Sequence, residues 1–179
     1  AEGYSKYISP DDRTCRPIFS DGASAVIIDA AGSGDIGPFV FATDGKGAPN
    51  LALKKNNGVA IVGDQVLHMN GPKVLEFTME AVPASVSRLI DKAGLTLAEI
   101  DMFVFHQASK VVLDRVRQNL DIDEAKMFRN YRDIGNTVSA TIPVAMKQAR
   151  STGILGTNMT VLIMGFGVGY SLAGCIVRT

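Results

Sequence analysis

Two β-prone apolar runs near the end of the chain, residues 159–164 and 170–177, are joined only by Gly165-Phe-Gly-Val-Gly169. A parallel pair needs a crossover of roughly a dozen residues or more, so these two strands can pair only as an antiparallel hairpin. Upstream, Met102-Phe-Val-Phe105 is a third buried run, separated from the hairpin by segments of helical period. Helices alternating with buried strands, one pair tight and another distant, predict an α/β layer architecture around a mixed sheet.

The helical segments have definite ends. From Pro72 the residues Val74, Leu75, Met79, Val82, Val86, Leu89 and Ile90 fall on one stripe that stops at Gly94. Pro83 lies inside and should kink this helix or remove a hydrogen bond. Thr96 and Glu99 have capping-box spacing for one further turn. After His106-Gln-Ala-Ser109, Val111, Val112, Val116 and Leu120 give the next helix its apolar face. A third runs over 138–149, with Pro143 inside and a stop near Gly153. Toward the N-terminus, 25–30 reads as a short strand after the turn Ser20-Asp21-Gly22. Residues 31–57 hold Gly32-Ser-Gly34, Gly37-Pro38, Asp44-Gly45-Lys46-Gly47 and Asn56-Asn57-Gly58, a long excursion with short strands. No repeat is evident, and a single domain over 1–179 accounts for the pattern.

Composition narrows the function. Apolar residues make up 46% and charged residues 20% of 179 residues, the balance of a chain that folds. Eighteen basic residues offset eighteen acidic ones, so no net field draws the chain to nucleic acid or an anionic membrane. No apolar run approaches the ~20 residues of a membrane span. Cys15 and Cys175 are far apart and lack metal spacing, and nothing reads as a signal peptide. A soluble, cytoplasmic protein without metal is the expectation.

His106 stands just past a strand, where side chains in an open α/β sheet face the ligand crevice. A neutral imidazole there can donate to a carbonyl oxygen or exchange a proton. It can equally anchor its own turn. Asn136, in Asp133-Ile-Gly-Asn-Thr137, can donate its amide to an oxyanion or merely form a turn and cap. The glycine run fails as a dinucleotide loop because Tyr170 replaces the last glycine and a strand follows. It is then either a plain hairpin or a place where substrate nears the backbone. Cys175 reads as core, Cys15 as a surface cysteine, and His68 as structural. Lys110, Arg115 and Arg117 are a solvated face or a docking surface for an acidic partner.

Three features together, His106-Gln-Ala before a helix, Gly135-Asn-Thr, and the terminal Gly-Phe-Gly-x-Gly between strands, resemble the ketoacyl carrier-protein synthase III family of the thiolase superfamily. Ser20-Asp-Gly-Ala23 and Met69-x-Gly71 extend the resemblance over nearly the whole chain. It implies a thiolase-like half with a five-stranded mixed sheet and helices on both faces. In that family two such halves form a five-layered α/β/α/β/α fold and dimerise. The matching half here is the C-terminal one, with the cysteine-bearing N-terminal half absent from the chain.

By this resemblance the cysteine takes an acyl group from coenzyme A, and malonyl carrier protein then binds and loses carbon dioxide. Catalytic His106 and Asn136 hold the thioester oxygen as the enolate forms. Phe166 lines the decarboxylation site and the Val168 amide completes the oxyanion hole. Met69, Gly71, Leu75, Ala108 and Ser109 match positions lining the pantetheine tunnel. Acyl-coenzyme A and a malonyl thioester are substrates, with no permanently bound cofactor. Acyl carrier protein, the N-terminal half and a second copy are the partners. Ser109, Pro72, Val111 and Val168 depart from the family's commoner residues. Two other readings compete: a non-catalytic acyl-thioester-binding or partner subunit, and a plant-type polyketide synthase-like enzyme.

Overall fold

The computed structural model describes residues 1–30, 34–55 and 65–179. Strands β1 (Asp35–Thr43), β4 (Met102–Phe105), β5 (Thr160–Gly167) and β6 (Ser171–Arg178) form one sheet in the order β1-β6-β5-β4. β5 pairs antiparallel with β6, as the short connection requires, and parallel with β4. β1 pairs antiparallel with β6, making the sheet mixed. β2 (Leu51–Lys55) and β3 (Gln65–Met69) form a separate antiparallel pair.

Helices cover both faces. On one side lie α1 (Gly71–Ala93) and α2 (Lys110–Leu120); on the other lies α4 (Thr141–Ser151), with the single turn α3 (Tyr131–Ile134) before it. β4 shows why: Phe103 and Phe105 pack with Val82, Val86, Leu89, Leu113 and Val116, whereas Met102 and Val104 pack with Ala145 and Ala149. All four β4 residues are buried, as a strand enclosed from both faces must be. Burying either phenylalanine contributes on the order of 2 kcal/mol.

The ends of α1 follow its sequence. Asn70 Oδ1 accepts from the Lys73 amide at 3.2 Å, and Gly94 ends the helix. The helix runs unbroken through Pro83. Past it, Glu99 reaches back to the Thr96 amide and hydroxyl, each at 2.7 Å. Ser109 Oγ caps α2 by accepting from the Val112 amide at 3.4 Å. Pro143 sits in the first turn of α4, where its missing N–H would have had no partner within the helix.

Four expectations need correction. The sheet has four strands, because 25–30 is not a strand: Val26, Ile27 and Ile28 are 67%, 92% and 78% exposed, with no sheet neighbour among the described residues. Apolar β-branched residues favour extended backbone, but a strand exists only where another satisfies its amides and carbonyls. Val111 is exposed rather than part of the α2 face; Leu113 and Val116 turn inward. The glycine run is not all connection, since Gly165 and Gly167 are in β5 and pair with Ala173 and Ser171. Cys15 is fully buried with Ile8, Leu51 and Leu67, the cluster that joins the N-terminal segment to β2 and β3. Of the loop signals, Gly32-Ser33 and Asn56-Asn57-Gly58 lie outside the described residues.

Candidate functional site

A cavity of about 810 Å³ opens where β4 and β5 end, bounded by β6, the first turns of α1 and α2, and the loop before α4. Among the described residues no aspartate, glutamate, lysine or arginine lines it. Its walls are chiefly apolar with a few convergent polar groups, the usual character of a site that takes a small organic ligand. The structure places His106, Asn136, Phe166 and Val168 in this wall together. Met69, Gly71, Leu75, Ala108 and Ser109 line the same cavity. All nine positions singled out in the sequence therefore converge, from four separate segments.

His106 continues β4 by one residue, its amide donating to Met164 O at 2.9 Å. Its ring meets Phe166 edge-on, with centroids 5.5 Å apart at 86°. Nδ1 lies 2.7 Å from Thr141 Oγ1, and the Thr141 hydroxyl in turn donates to Val138 O at 2.9 Å. Burial pulls the imidazole from its ordinary 6.5 down to about 4, against a smaller opposing effect of the Val138 carbonyl. The ring is neutral near pH 7.

The turn after His106 is held from behind. Gln107 is fully buried; Nε2 donates to Phe105 O at 2.8 Å and Phe128 O at 3.3 Å, while Oε1 accepts from the Asn130 amide at 3.0 Å. Asn130 Nδ2 donates to Gln148 Oε1 at 3.0 Å. These bonds tie the β4–α2 turn to the segment that leads to Asn136.

Asn136 is placed by its neighbours. Its amide donates to Ile18 O at 3.0 Å and its carbonyl accepts from the Ser20 amide at 2.9 Å, so residues 18–20 brace the loop like a short strand. Gly135 is required there: its φ of 75° suits glycine, and a Cβ would come 2.1 Å from Ser20 Oγ. Asn136 Oδ1 accepts from the Val138 amide at 2.9 Å, which leaves Nδ2 with one long bond to Ala108 O at 3.4 Å. Nδ2 thus keeps donor capacity beside the cavity that Asn136 lines.

Neither cysteine lines the cavity. Burial pushes the Cys15 thiol up to about 11, and the Asp12 carboxylate adds to the rise, so the nearby arginines do not activate it. Burial also raises Cys175. No cluster of three metal-ligating side chains occurs among the described residues. On α2, Lys110 pairs with Asp114 and Arg117 with Glu124, whereas Arg115 is exposed. Sequence reasoning missed Thr141, whose only local signal was a hydroxyl beside a helix start. It also missed Tyr4, Ile18 and Phe19, which reach the cavity from the N-terminal segment.

Residues 90–179 match the family described as 3-oxoacyl-[acyl-carrier-protein (ACP)] synthase III C terminal, and residues 1–45 match 3-oxoacyl-[acyl-carrier-protein (ACP)] synthase III. The chain is 32% identical to the beta-ketoacyl-[acyl-carrier-protein] synthase III of Staphylococcus haemolyticus, covering 99% of itself and 55% of that protein. It is 33% identical to the Synechocystis enzyme of the same name, covering 97% and 56%. A crystal structure of a 3-oxoacyl-(acyl-carrier-protein) synthase III superposes with a TM-score of 0.83 at 37% identity, over 98% of this chain and 58% of that one. The chain spans a little over half the length of the curated relatives it matches. Its mixed sheet with helices on both faces, its closing glycine hairpin and its family matches place it in the 3-oxoacyl-[acyl-carrier-protein] synthase III family, within the thiolase superfamily.

Proposed function

We propose that this chain supplies the oxyanion-holding part of a decarboxylating acyl-thioester condensing enzyme. The observation that carries this reading is the convergence of His106 and the Asn136 amide donors in one uncharged cavity. The acyl group resides on a cysteine of an N-terminal half, since neither cysteine here reaches the site. The pantetheine arm of a malonyl thioester enters past Met69, Gly71, Leu75, Ala108 and Ser109. As its carbon–carboxylate bond breaks, the electron pair moves onto the thioester oxygen, held by Asn136 Nδ2 and His106, and carbon dioxide leaves. Phe166 lines the place of the departing carboxylate, where an apolar wall disfavours the charged group relative to the neutral product. The enolate carbon attacks the acyl-cysteine carbonyl, whose oxyanion meets the Val168 amide, and collapse returns the cysteine thiolate. Acyl-coenzyme A as acyl donor, acyl carrier protein as acceptor carrier and a homodimeric assembly belong to the same proposal.

Intact-mass measurement of the encoded protein with an acyl-coenzyme A tests it. One acyl group on a cysteine outside this chain is expected. His106→Ala and Asn136→Ala should keep that acylation yet slow malonyl-thioester decarboxylation by on the order of 100-fold. Acylation at Cys15, or equal loss of both steps, overturns the assignment.

A further inference from the structure

Thr141 is 2% exposed and is the first residue of α4, five positions after Asn136. Its hydroxyl stands between two groups of opposite capacity. Val138 O can only accept a hydrogen bond; His106 Nδ1 can accept or donate according to tautomer. In the observed arrangement the hydroxyl proton goes to Val138 O at 2.9 Å, so Oγ1 is left to accept at its 2.7 Å contact with Nδ1. Nδ1 therefore carries the ring proton, and Nε2 keeps a bare lone pair. Val138 enforces this layout with a strained backbone. Its φ of 53° is unfavourable for a β-branched residue, and the twist sends its amide to Asn136 Oδ1 and its carbonyl to Thr141.

Holding an oxyanion requires a proton on Nε2. A neutral ring has only one N–H, so Nδ1 must then become an acceptor, and of its two polar neighbours only the Thr141 hydroxyl can donate to it. We propose that Thr141 is a positioning residue that switches His106 between two tautomers, resting as a proton acceptor at Nε2 and becoming a donor to the enolate when the Thr141 hydroxyl turns from Val138 O to Nδ1. Proton balance is simple: Nδ1 releases a proton to water, Nε2 takes one from water, and the ring stays neutral. The inference rests on the function proposed above for His106 and deepens it.

Among the described residues lining the cavity, Tyr4 alone is titratable besides His106. Burial and then Glu2 raise the Tyr4 hydroxyl, so it stays neutral through the working range. With Thr141→Val, Nδ1 faces only Val138 O, and Nε2 is locked as acceptor. The imidazolium form escapes the lock because both nitrogens then carry protons.

The test is the malonyl-thioester decarboxylation rate of the encoded protein between pH 8 and 5.5, taken as the ratio of variant to wild type. For Thr141→Val the ratio should fall roughly 10- to 100-fold at pH 8 and climb back toward one as the pH falls. Thr141→Ser should match wild type at every pH. Cysteine acylation by acyl-coenzyme A shows that Thr141→Val is folded. Should it not fold, histidine ¹⁵N spectra of the wild type decide: protonated Nδ1 with bare Nε2 supports the switch, and a resting Nε2–H overturns it. A ratio independent of pH, or an unimpaired Thr141→Val, also overturns it. Unchanged decarboxylation in His106→Ala would instead defeat the functional reading itself.

Discussion

Asn136 Oδ1 accepts the Val138 amide at 2.9 Å, and this one bond decides which end of the side chain meets the cavity. Had the amide turned over, two donors would face a donor and the cavity would see only a carbonyl oxygen. The same carbonyl-in, amide-out setting makes Asn136→Asp informative. Aspartate preserves the bond to the Val138 amide but replaces the donors with a second oxygen. Decarboxylation of a malonyl thioester should fall by roughly 10²- to 10³-fold, while the thermal midpoint moves little. A variant that keeps its rate would show that Nδ2 does not serve the oxyanion.

Gly135 tests the scaffold rather than the chemistry. Its φ of 75° and ψ of −170° lie in a region essentially reserved for glycine, and an added methyl would meet Ser20 Oγ at 2.1 Å. Gly135→Ala should cost ~1–3 kcal/mol from backbone strain, with the clash added. Urea unfolding measures the total. Adding Ser20→Ala should recover only the steric share.

The sequence announced the ends of this fold better than its edges. The closing hairpin was readable because five residues cannot make a crossover, and α1 because its stripe runs from Pro72 to Gly94. What failed was 25–30, where β-branched residues read as a strand but form none among the described residues. Local propensity says nothing of whether a partner stands alongside. Cys15 failed for a related cause: flanking charges marked a surface loop, yet the turn folds that side chain inward onto Leu51 and Leu67, both distant in sequence. His106 and Asn136 stood out in strand and turn context that fitted a structural role equally well, and it was the combination with the closing glycine run that singled them out; the fold brings both to one cavity. Thr141 was not, because its importance depends on facing a ring from a helix 35 residues later.

His106 should leave a mark on stability. Its native value near 4 lies below the ordinary 6.5, because the buried site refuses the charged ring. Between those values the unfolded chain binds a proton that the native state does not. Native stability is therefore full above about pH 6.5 and declines as pH falls toward 4, by a total on the order of 3 kcal/mol. Denaturation midpoints at pH 7 and pH 5 should differ in the wild type and differ less in His106→Gln. Equal slopes would mean that the ring is not desolvated in the native state.

Gln107 offers the sharpest separation between holding the site and acting in it. Its side chain is fully buried and makes no contact with the cavity, yet it bonds Phe105 O, Phe128 O and the Asn130 amide. Gln107→Leu keeps the volume but strands the Asn130 amide and the Phe128 carbonyl away from water, at about 1–3 kcal/mol for each such group. Gln107→Glu makes the cause visible. As a carboxylate it still accepts from the Asn130 amide but turns oxygen toward two carbonyls. As a neutral acid it can donate to one of them. The native state thus favours the protonated form, raising the carboxyl above its unfolded value, so the stability deficit of Gln107→Glu relative to wild type should shrink as pH falls from 7 to 5. A deficit that stays constant with pH would mean that these carbonyls do not depend on the amide nitrogen of Gln107.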